Sequence, residues 1–423
     1  MSAPAPVTGG AGTIGRSLAV AVQRVTAEPL GAYQSAVVRI GVSATCLLFL
    51  LRELPHRHEL YGPDGPWSWD MARRLITNND AFTVLMWSDG TAWFETVYAL
   101  TLVSAALLMT GWRTRATSVV FMAGVLSLQN RSIFMGDGGD NVIHLMAVYL
   151  VLTRCARVWS LDARRASREA ACLAEGGRPA RDVAGPVLWV VLGCVLLPAT
   201  FLGGLGGTWW LPSLLWVLWL GNAVWWSLSR RAPDHELRAL LDVLANLAHN
   251  ATLFVIMAEV CLIYATAGWY KIQGSRWQDG TAVYYPLKLE YFSPWTGLSG
   301  LVASSALLVM LLTYVTVIVQ VAFPFTLFNR RVKNVLLVLM IGEHAGISVL
   351  LGLPFFSMAM IAADAVFLPT VFLVWLERRV SLGRRRLFAR GAGRLRLPGQ
   401  RRAGPDDEDS VRSGGSGGHT LVG

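Results

Sequence analysis

The run Ala248-His249-Asn250-Ala251-Thr252-Leu253-Phe254-Val255-Ile256-Met257-Ala258-Glu259-Val260-Cys261-Leu262-Ile263-Tyr264-Ala265-Thr266-Ala267-Gly268-Trp269-Tyr270, closed by Lys271-Ile272, decides the fold. As a helix it is roughly 34 Å long at 1.5 Å per residue, more than a ~30 Å hydrocarbon core. Its single acid, Glu259, and the lysine at its mouth stand out, because an ionisable group placed at depth in a bilayer is costly and marks a functional candidate. Working outward, nine further apolar segments are found: Tyr33 to Leu51, Ala92 to Met109, Ala116 to Phe134, Asn141 to Cys155, Pro186 to Leu202, Trp209 to Leu228, Leu298 to Phe328, Val335 to Leu353 and Ser357 to Leu376. The segment Leu298 to Phe328 is overlong, so it is expected to tilt or to break near Pro324.

The whole composition agrees. Of 423 residues, 54% are hydrophobic and only 15% charged. The fold class expected is all-α, a polytopic transmembrane helix bundle of about ten spans. The net charge of +10 would suggest nucleic acid in a soluble protein; in a bilayer protein it is read loop by loop, and no nucleic-acid partner is expected. The five cysteines form no CxxC pair, and most lie inside apolar runs as small hydrophobes. The scattered His144, His249 and His344 define no metal site.

Ten alternating crossings place every second loop on one side, and the cations sort accordingly. One set holds Arg16 and Arg24, then Arg113 and Arg115, the six arginines from Arg157 to Arg181, then Arg230, Arg231 and Arg238, then Arg330, Arg331 and Lys333, and finally eleven arginines after Leu376. These segments are expected to be cytoplasmic, and with them both termini. The opposite set is poor in cations: Gly136 to Asp140 and Gly203 to Thr208 have none, and Arg52 to Thr91 has four arginines against six acids. No cleavable signal peptide is evident. The organisation expected is a cytoplasmic segment over 1–32, a transmembrane domain over 33–377 with an extracytoplasmic loop at 52–91 and a cytoplasmic linker at 158–185, and a basic, then acidic, Ser/Gly-rich disordered tail over 378–423. High Arg, Ala and Gly content points to a bacterial source, hence to the plasma membrane.

Several polar residues share the predicted side of Lys271. Asp140, Asn141 and His144 open the fourth span, with Asp140 and His144 four apart on one helical face. Glu343, His344 and Asp364 lie further inside the ninth and tenth spans, Arg39 early in the first, and Glu259 midway along the seventh. Each has an ordinary reading beside a chemical one. Lys271 among Trp269, Tyr270 and Trp277 is either a snorkelling anchor or a base. Asp140 is a helix cap or a site group, and Glu343-His344 a structural node or a site. Arg39 is read as an ion-pair partner for Glu259, Glu343 or Asp364. There is no nucleotide loop, HExxH or nucleophile elbow.

Ala267-Gly268-Trp269-Tyr270-Lys271-Ile272, followed by Trp277 and then Asp279-Gly280, resembles the lysine signature of the HTTM family. That family includes the vitamin K-dependent gamma-glutamyl carboxylases and the sporulation-delaying protein B group. Val38-Arg39-Ile40, Leu60 to Gly65, Gly139-Asp140-Asn141 with His144, Trp159-Ser160-Leu161-Asp162, and Glu343-His344-Ala345-Gly346-Ile347 with Leu353 to Ser357 look like further landmarks in family order. The resemblance covers roughly Gln34 to Leu376.

In the carboxylase branch the resemblance implies a lysine that deprotonates reduced vitamin K, after which oxygen gives an epoxide through a basic alkoxide that removes a glutamate gamma proton before CO2 adds. Lys271 matches that lysine, and His144 is a looser match to a histidine near the CO2 step. The role needs a neutral amine, which an apolar setting favours. Two features depart from the carboxylases. An Arg-rich tail stands where their luminal substrate-binding region follows, and Trp269-Tyr270 replace small and basic residues before the lysine. Three readings result: a quinol- or lipid-handling protein, with reduced menaquinone or vitamin K as the cofactor and Lys271 and His144 as catalytic residues; a maturation or export factor for a secreted peptide; and a transporter. Asp140, Asn141, Arg39, Glu259, Glu343, His344 and Trp277 are the pocket candidates.

Overall fold

The computed structural model describes residues 11–178, 180–205 and 209–394. It is 81% helix, and no strand occurs among the described residues. An amphipathic α1 (Ala11–Ala27) leads through Gly31, at φ +61°, into α2 (Ala32–Glu53), which a single 3-10 turn extends to the short α3 (Arg57–Tyr61). After α4 (Trp69–Asn79) come α5 (Thr91–Thr110), α6 (Thr114–Arg131) and α7 (Gly138–Leu152). Next are α8 (Leu161–Ala174), the pair α9 (Ala184–Phe201) and α10 (Trp210–Arg231), and the 38-residue α11 (Glu236–Gln273). Short α12 (Ser275–Gln278), α13 (Tyr284–Lys288) and α14 (Thr296–Ser304) precede α15 (Ala306–Ala322), α16 (Arg330–Leu350), α17 (Pro354–Asp364) and α18 (Thr370–Arg394).

Seven of the described helices are long and apolar enough to cross a membrane, or eight if Pro354–Phe367 and Thr370–Gly383 make one span. Ten spans were expected, and the difference has a physical cause. The helix α6 carries Arg115, Arg131 and a row of hydroxyls, while α7 has only 15 residues. Both are packed inside other helices: Phe121, Met146 and Ala147 are fully buried. A helix wrapped by protein need not be apolar on every side. The eighth expected span breaks at Ser305, whose hydroxyl accepts from the Leu308 amide and caps α15. Pro324, the expected breakpoint, only tightens the end of α15 into a 3-10 turn. The tenth breaks after Asp364, ahead of Pro369.

The inner layer is α2, α5, α6, α7 and α17, with α11, α15 and α16 packed alongside. Close approach depends on small residues, as in membrane bundles generally. A Cβ on Gly41 of α2 would stand 2.5 Å from Ala362 Cβ of α17, and one on Gly268 of α11 would meet Val321 at 2.6 Å. The α9–α10 pair is peripheral. Only 11% and 6% of their apolar stretches are buried, so their aliphatic faces suit lipid rather than water. The pair is clasped internally by Trp189 and Trp219, stacked at 4.0 Å with each indole N–H donating to the other's carbonyl.

One end of the bundle is joined by polar contacts. His249 of α11 donates from Nε2 to Leu30 O (2.8 Å) while its Nδ1 accepts from Arg154 N (2.9 Å), which fixes its tautomer. Asn246 and Asn250 donate to the carbonyls of Thr26 and Val25 in the last turn of α1. Asp162 accepts from the amides of Arg113 and Thr114, neutralising the N-terminus of α6. The basic residues Arg113, Arg115, Arg154 and Arg157 therefore collect where α2, α6 and α11 begin and α5 and α7 end. Helix α18 continues to Arg394, through part of the expected tail, and forms a unit of its own from Val371 onward. Residues 395–423 of that tail lie outside the described residues, as do 206–208 of the expected Gly203 to Thr208 loop.

The segment 52–91, expected as a loop, is largely folded. Arg131, only 1% exposed, donates from Nη2 to Gly62 O and Trp67 O, and Ser132 Oγ donates to Leu60 O. Arg57 and His58 both pair with Glu95 of α5 at 2.7 Å.

Candidate functional site

The buried stripe of α11 positions the site. His249, Leu253, Ile256, Val260, Tyr264 and Gly268 recur at helical spacing and are all buried, and Lys271 continues the same line. Taking His249 as one end, Lys271 is roughly 33 Å away along the axis, and Tyr264 roughly 10 Å short of it. That separation matches the ~30 Å thickness of a hydrocarbon core, with Tyr264 between the two ends.

Two short hydrogen-bond chains start from this stripe. Lys271 Nζ donates to Gln320 Oε1 of α15 (2.8 Å), and Gln320 Nε2 donates to Glu343 Oε1 of α16 (2.6 Å). The ammonium also stands 5.2 Å from the Trp277 ring centroid, within cation–π range. Deeper in, the Tyr264 hydroxyl donates to Asp364 Oδ2 (2.9 Å) and pairs with His344 Nε2 (2.9 Å). The single hydroxyl proton goes to Asp364, so Nε2 of His344 is the donor and its Nδ1 is unprotonated. That Nδ1 is buried without a partner, as are Asp364 Oδ1 and Ser357 Oγ on α17. Tyr264, His344 and Asp364 are at most 2% exposed. Glu343 and His344 are consecutive, about 100° apart around α16, so one residue serves each chain. Asp364 lies one turn before the bend of the tenth expected span, which falls between Phe367 and Thr370.

Lys271, Glu343, His344 and Trp277 of the expected site thus meet in one region. The others are bonded to different partners. His144 Nδ1 pairs with Gln129 Oε1 of α6 (2.9 Å), and Gln129 Nε2 donates to Asp140 O (2.8 Å); among the described residues no hydrogen bond connects this group to Lys271. Asp140 forms a capping box with Asp137, its Oδ2 accepting from the Asp137 amide at 2.9 Å. Asn141 is exposed. Glu259 accepts from Tyr149 OH of α7 (3.1 Å).

Arg39 corrects an expectation. It is fully buried, yet among the described residues it pairs with no carboxylate. Its guanidinium donates to Cys155 O (3.2 Å), Met109 O (2.8 Å), Trp159 O (2.8 Å) and Leu108 O. The last carbonyls of a helix lack i+4 amide partners, and the five N–H donors of a guanidinium supply that need at the end of α5. Asp279-Gly280 of the lysine signature is likewise a turn. Thr281 donates to Asp279 Oδ1 through its amide (3.0 Å) and hydroxyl (2.5 Å), and these bonds, with Arg276 nearby, hold the Asp279 carboxyl below the usual range. Gly280 has φ +76°.

Sequence reading missed Tyr264 and Gln320. Their signal was positional: Tyr264, Gly268 and Lys271 follow i, i+4, i+7 on one face. Compared with protein-family models, curated proteins and solved structures, the chain has no match in any of the three.

Proposed function

We propose that this is a multi-pass protein of the bacterial plasma membrane, related in build to the HTTM family, in which Lys271 takes a proton from a weakly acidic, lipid-borne substrate such as a reduced quinone. The observation that carries this reading is the amide of Gln320 standing between Lys271 and Glu343. An ammonium in direct contact with a carboxylate is held charged. An intervening amide orients the amine while leaving the carboxylate one residue away, so the neutral, proton-accepting form is accessible. The proton then has buried titratable neighbours in Glu343, His344 and Asp364. The exposed Trp269 and Tyr270 beside Lys271 suit a ring entering from lipid. The collection of arginines at the far end supports cytoplasmic termini and an extracytoplasmic Lys271.

The test is to purify the protein in native lipid, extract it, and measure bound menaquinone and its redox turnover. Lys271→Ala is expected to abolish turnover, with Gln320→Leu reducing it. A Lys271→Ala protein that retains and turns over quinone like wild type would falsify the reading. The interruptions at Ser305 and after Asp364 favour transport as a second reading, since broken helices beside buried carboxyls are how transporters build ion sites. The lysine-bearing helix itself is continuous. Substrate-dependent proton uptake into proteoliposomes, lost in Asp364→Asn and kept in Lys271→Ala, would select transport.

A further inference from the structure

At the end of the bundle opposite Lys271, four arginines surround one aspartate. Asp242 of α11 accepts from Arg154 Nη2 (2.9 Å) and from Trp225 Nε1 (3.3 Å) on the same oxygen, while its other oxygen faces Arg238 Nη2 at 3.9 Å. The Arg115 guanidinium lies 4.4 Å from the Trp225 ring centroid and donates to Asn222 Oδ1 (2.9 Å). Arg157, three residues beyond Arg154, is exposed and makes no hydrogen bond or ion pair among the described residues; the Nε of Arg238 is buried and unpartnered among them. Among the described residues Asp242 is the only carboxylate in ion-pair range of these four arginines, and Asp162 is occupied with the N-terminus of α6. The cations therefore outnumber the carboxylates that could neutralise them, and the surplus faces outward.

We propose that Arg115, Arg154, Arg157 and Arg238 form a binding site for the headgroup phosphate of an anionic phospholipid. Guanidiniums bind phosphate oxygens through paired N–H donors. What selects a lipid over a soluble phosphate is the adjoining surface. On α10, the helix that supplies Trp225 and Asn222, Val217, Leu220 and Val224 are 67%, 51% and 41% exposed, an apolar wall running away from the cluster. A headgroup seated on the arginines would lay its acyl chains along that wall. The inference uses the membrane reading but not the proton-accepting role of Lys271, so the two can fail separately.

The test uses the full-length protein in detergent, stripped of lipid, with thermal denaturation and native mass spectrometry as readouts. Phosphatidylglycerol is expected to bind and raise the melting temperature; phosphatidylethanolamine and inorganic phosphate are not. Arg115→Gln with Arg157→Gln, two exposed positions, should weaken phosphatidylglycerol binding about 25-fold, taking roughly five-fold per arginine. Arg73→Gln with Arg74→Gln, a second exposed pair on α4, should leave it unchanged, as should Lys271→Ala. Equal losses from both double variants would show diffuse charge attraction and overturn the site. An equal shift from inorganic phosphate would overturn the lipid assignment.

Discussion

Replacing Arg39 by methionine removes the charge and keeps much of the length. Four carbonyls lose a donor: those of Leu108, Met109, Cys155 and Trp159. The Leu108 carbonyl keeps the Gly111 amide at 3.0 Å, so three are orphaned in a site that Arg39 itself seals. At about 1–3 kcal/mol for each buried unsatisfied group, the gross loss is about 3–9 kcal/mol. Against it stands relief of a buried guanidinium, worth several kcal/mol. The net expectation is a destabilisation of about 3 kcal/mol. Arg39→Lys should fall between, because one ammonium cannot reach carbonyls on α5 and on both sides of the 155–159 turn. The assay is reversible denaturation in mixed micelles, followed by tryptophan fluorescence. A methionine variant within about 0.5 kcal/mol of wild type, or a lysine variant no better than methionine, would refute the account. If Arg39 served instead as counter-ion to Asp364 or Glu343, the loss would be relieved by Asp364→Asn or Glu343→Gln; no such rescue is expected.

Three other outcomes follow from packing and charge. Gly41→Val should cost about 1–3 kcal/mol by overpacking, since its Cβ meets Ala362 Cβ at 2.5 Å, and Ala362→Gly should recover part of it in the same denaturation assay. The Asp182 carboxyl is held below its usual range chiefly by hydrogen bonds from Arg113, against a smaller opposing effect of burial. Its contribution is therefore present above the unfolded value near 4 and lost as pH falls through the folded value. Wild type should lose about 1 kcal/mol more than Asp182→Asn between pH 6 and pH 3, and parallel melting curves would count against the pair. Cys172 on α8 should react with a membrane-impermeant maleimide in inverted vesicles and not in intact cells; the reverse pattern would invert the proposed topology.

The legible part of the fold was the long, continuous apolar helices, whether inside the bundle as α2 and α5 or at its edge as α9 and α10. The helices α2, α5, α9 and α10 carry long apolar runs and were found within a few residues of their observed bounds, whereas α11 begins at Glu236, well before the expected Ala248, and α15 begins at Ala306, after the break in the overlong segment expected from Leu298. Helices α6 and α7 were harder, since they answer to protein neighbours: α6 carries arginine and α7 stops at 15 residues. The partner of Arg39 could not be read because carbonyl groups are invisible in a sequence; only the fold shows which helix end needs a donor. The same holds for Trp159 to Asp162. That landmark supplies a carbonyl to Arg39 and a cap to α6, so its apparent motif character has a structural basis. Lys271 with Glu343 was readable as a pair of charges in apolar runs, whereas Gln320, which joins them, looked like one polar residue in a hydrophobic helix.

Arg39, Asp162 and His249 on the one hand and Tyr264, His344, Ser357 and Asp364 on the other use buried polar atoms differently. Arg39, Asp162 and His249 use their bonding capacity to fasten helix ends. Asp364 Oδ1, His344 Nδ1 and Ser357 Oγ are buried without partners, and a bundle selected for stability alone would gain by losing them, since well-packed apolar groups replace buried ionic ones at no cost or with a gain of about 1–4 kcal/mol. Consider Tyr264→Phe, His344→Leu and Asp364→Leu together. If Lys271 is only an interfacial anchor, the triple variant should be as stable as wild type or more so, with no other change. If the buried chain receives or relays protons, the same variant should remain folded and equally stable, yet lose quinone turnover or proton uptake. Stability and activity then move apart, which a purely structural network does not allow.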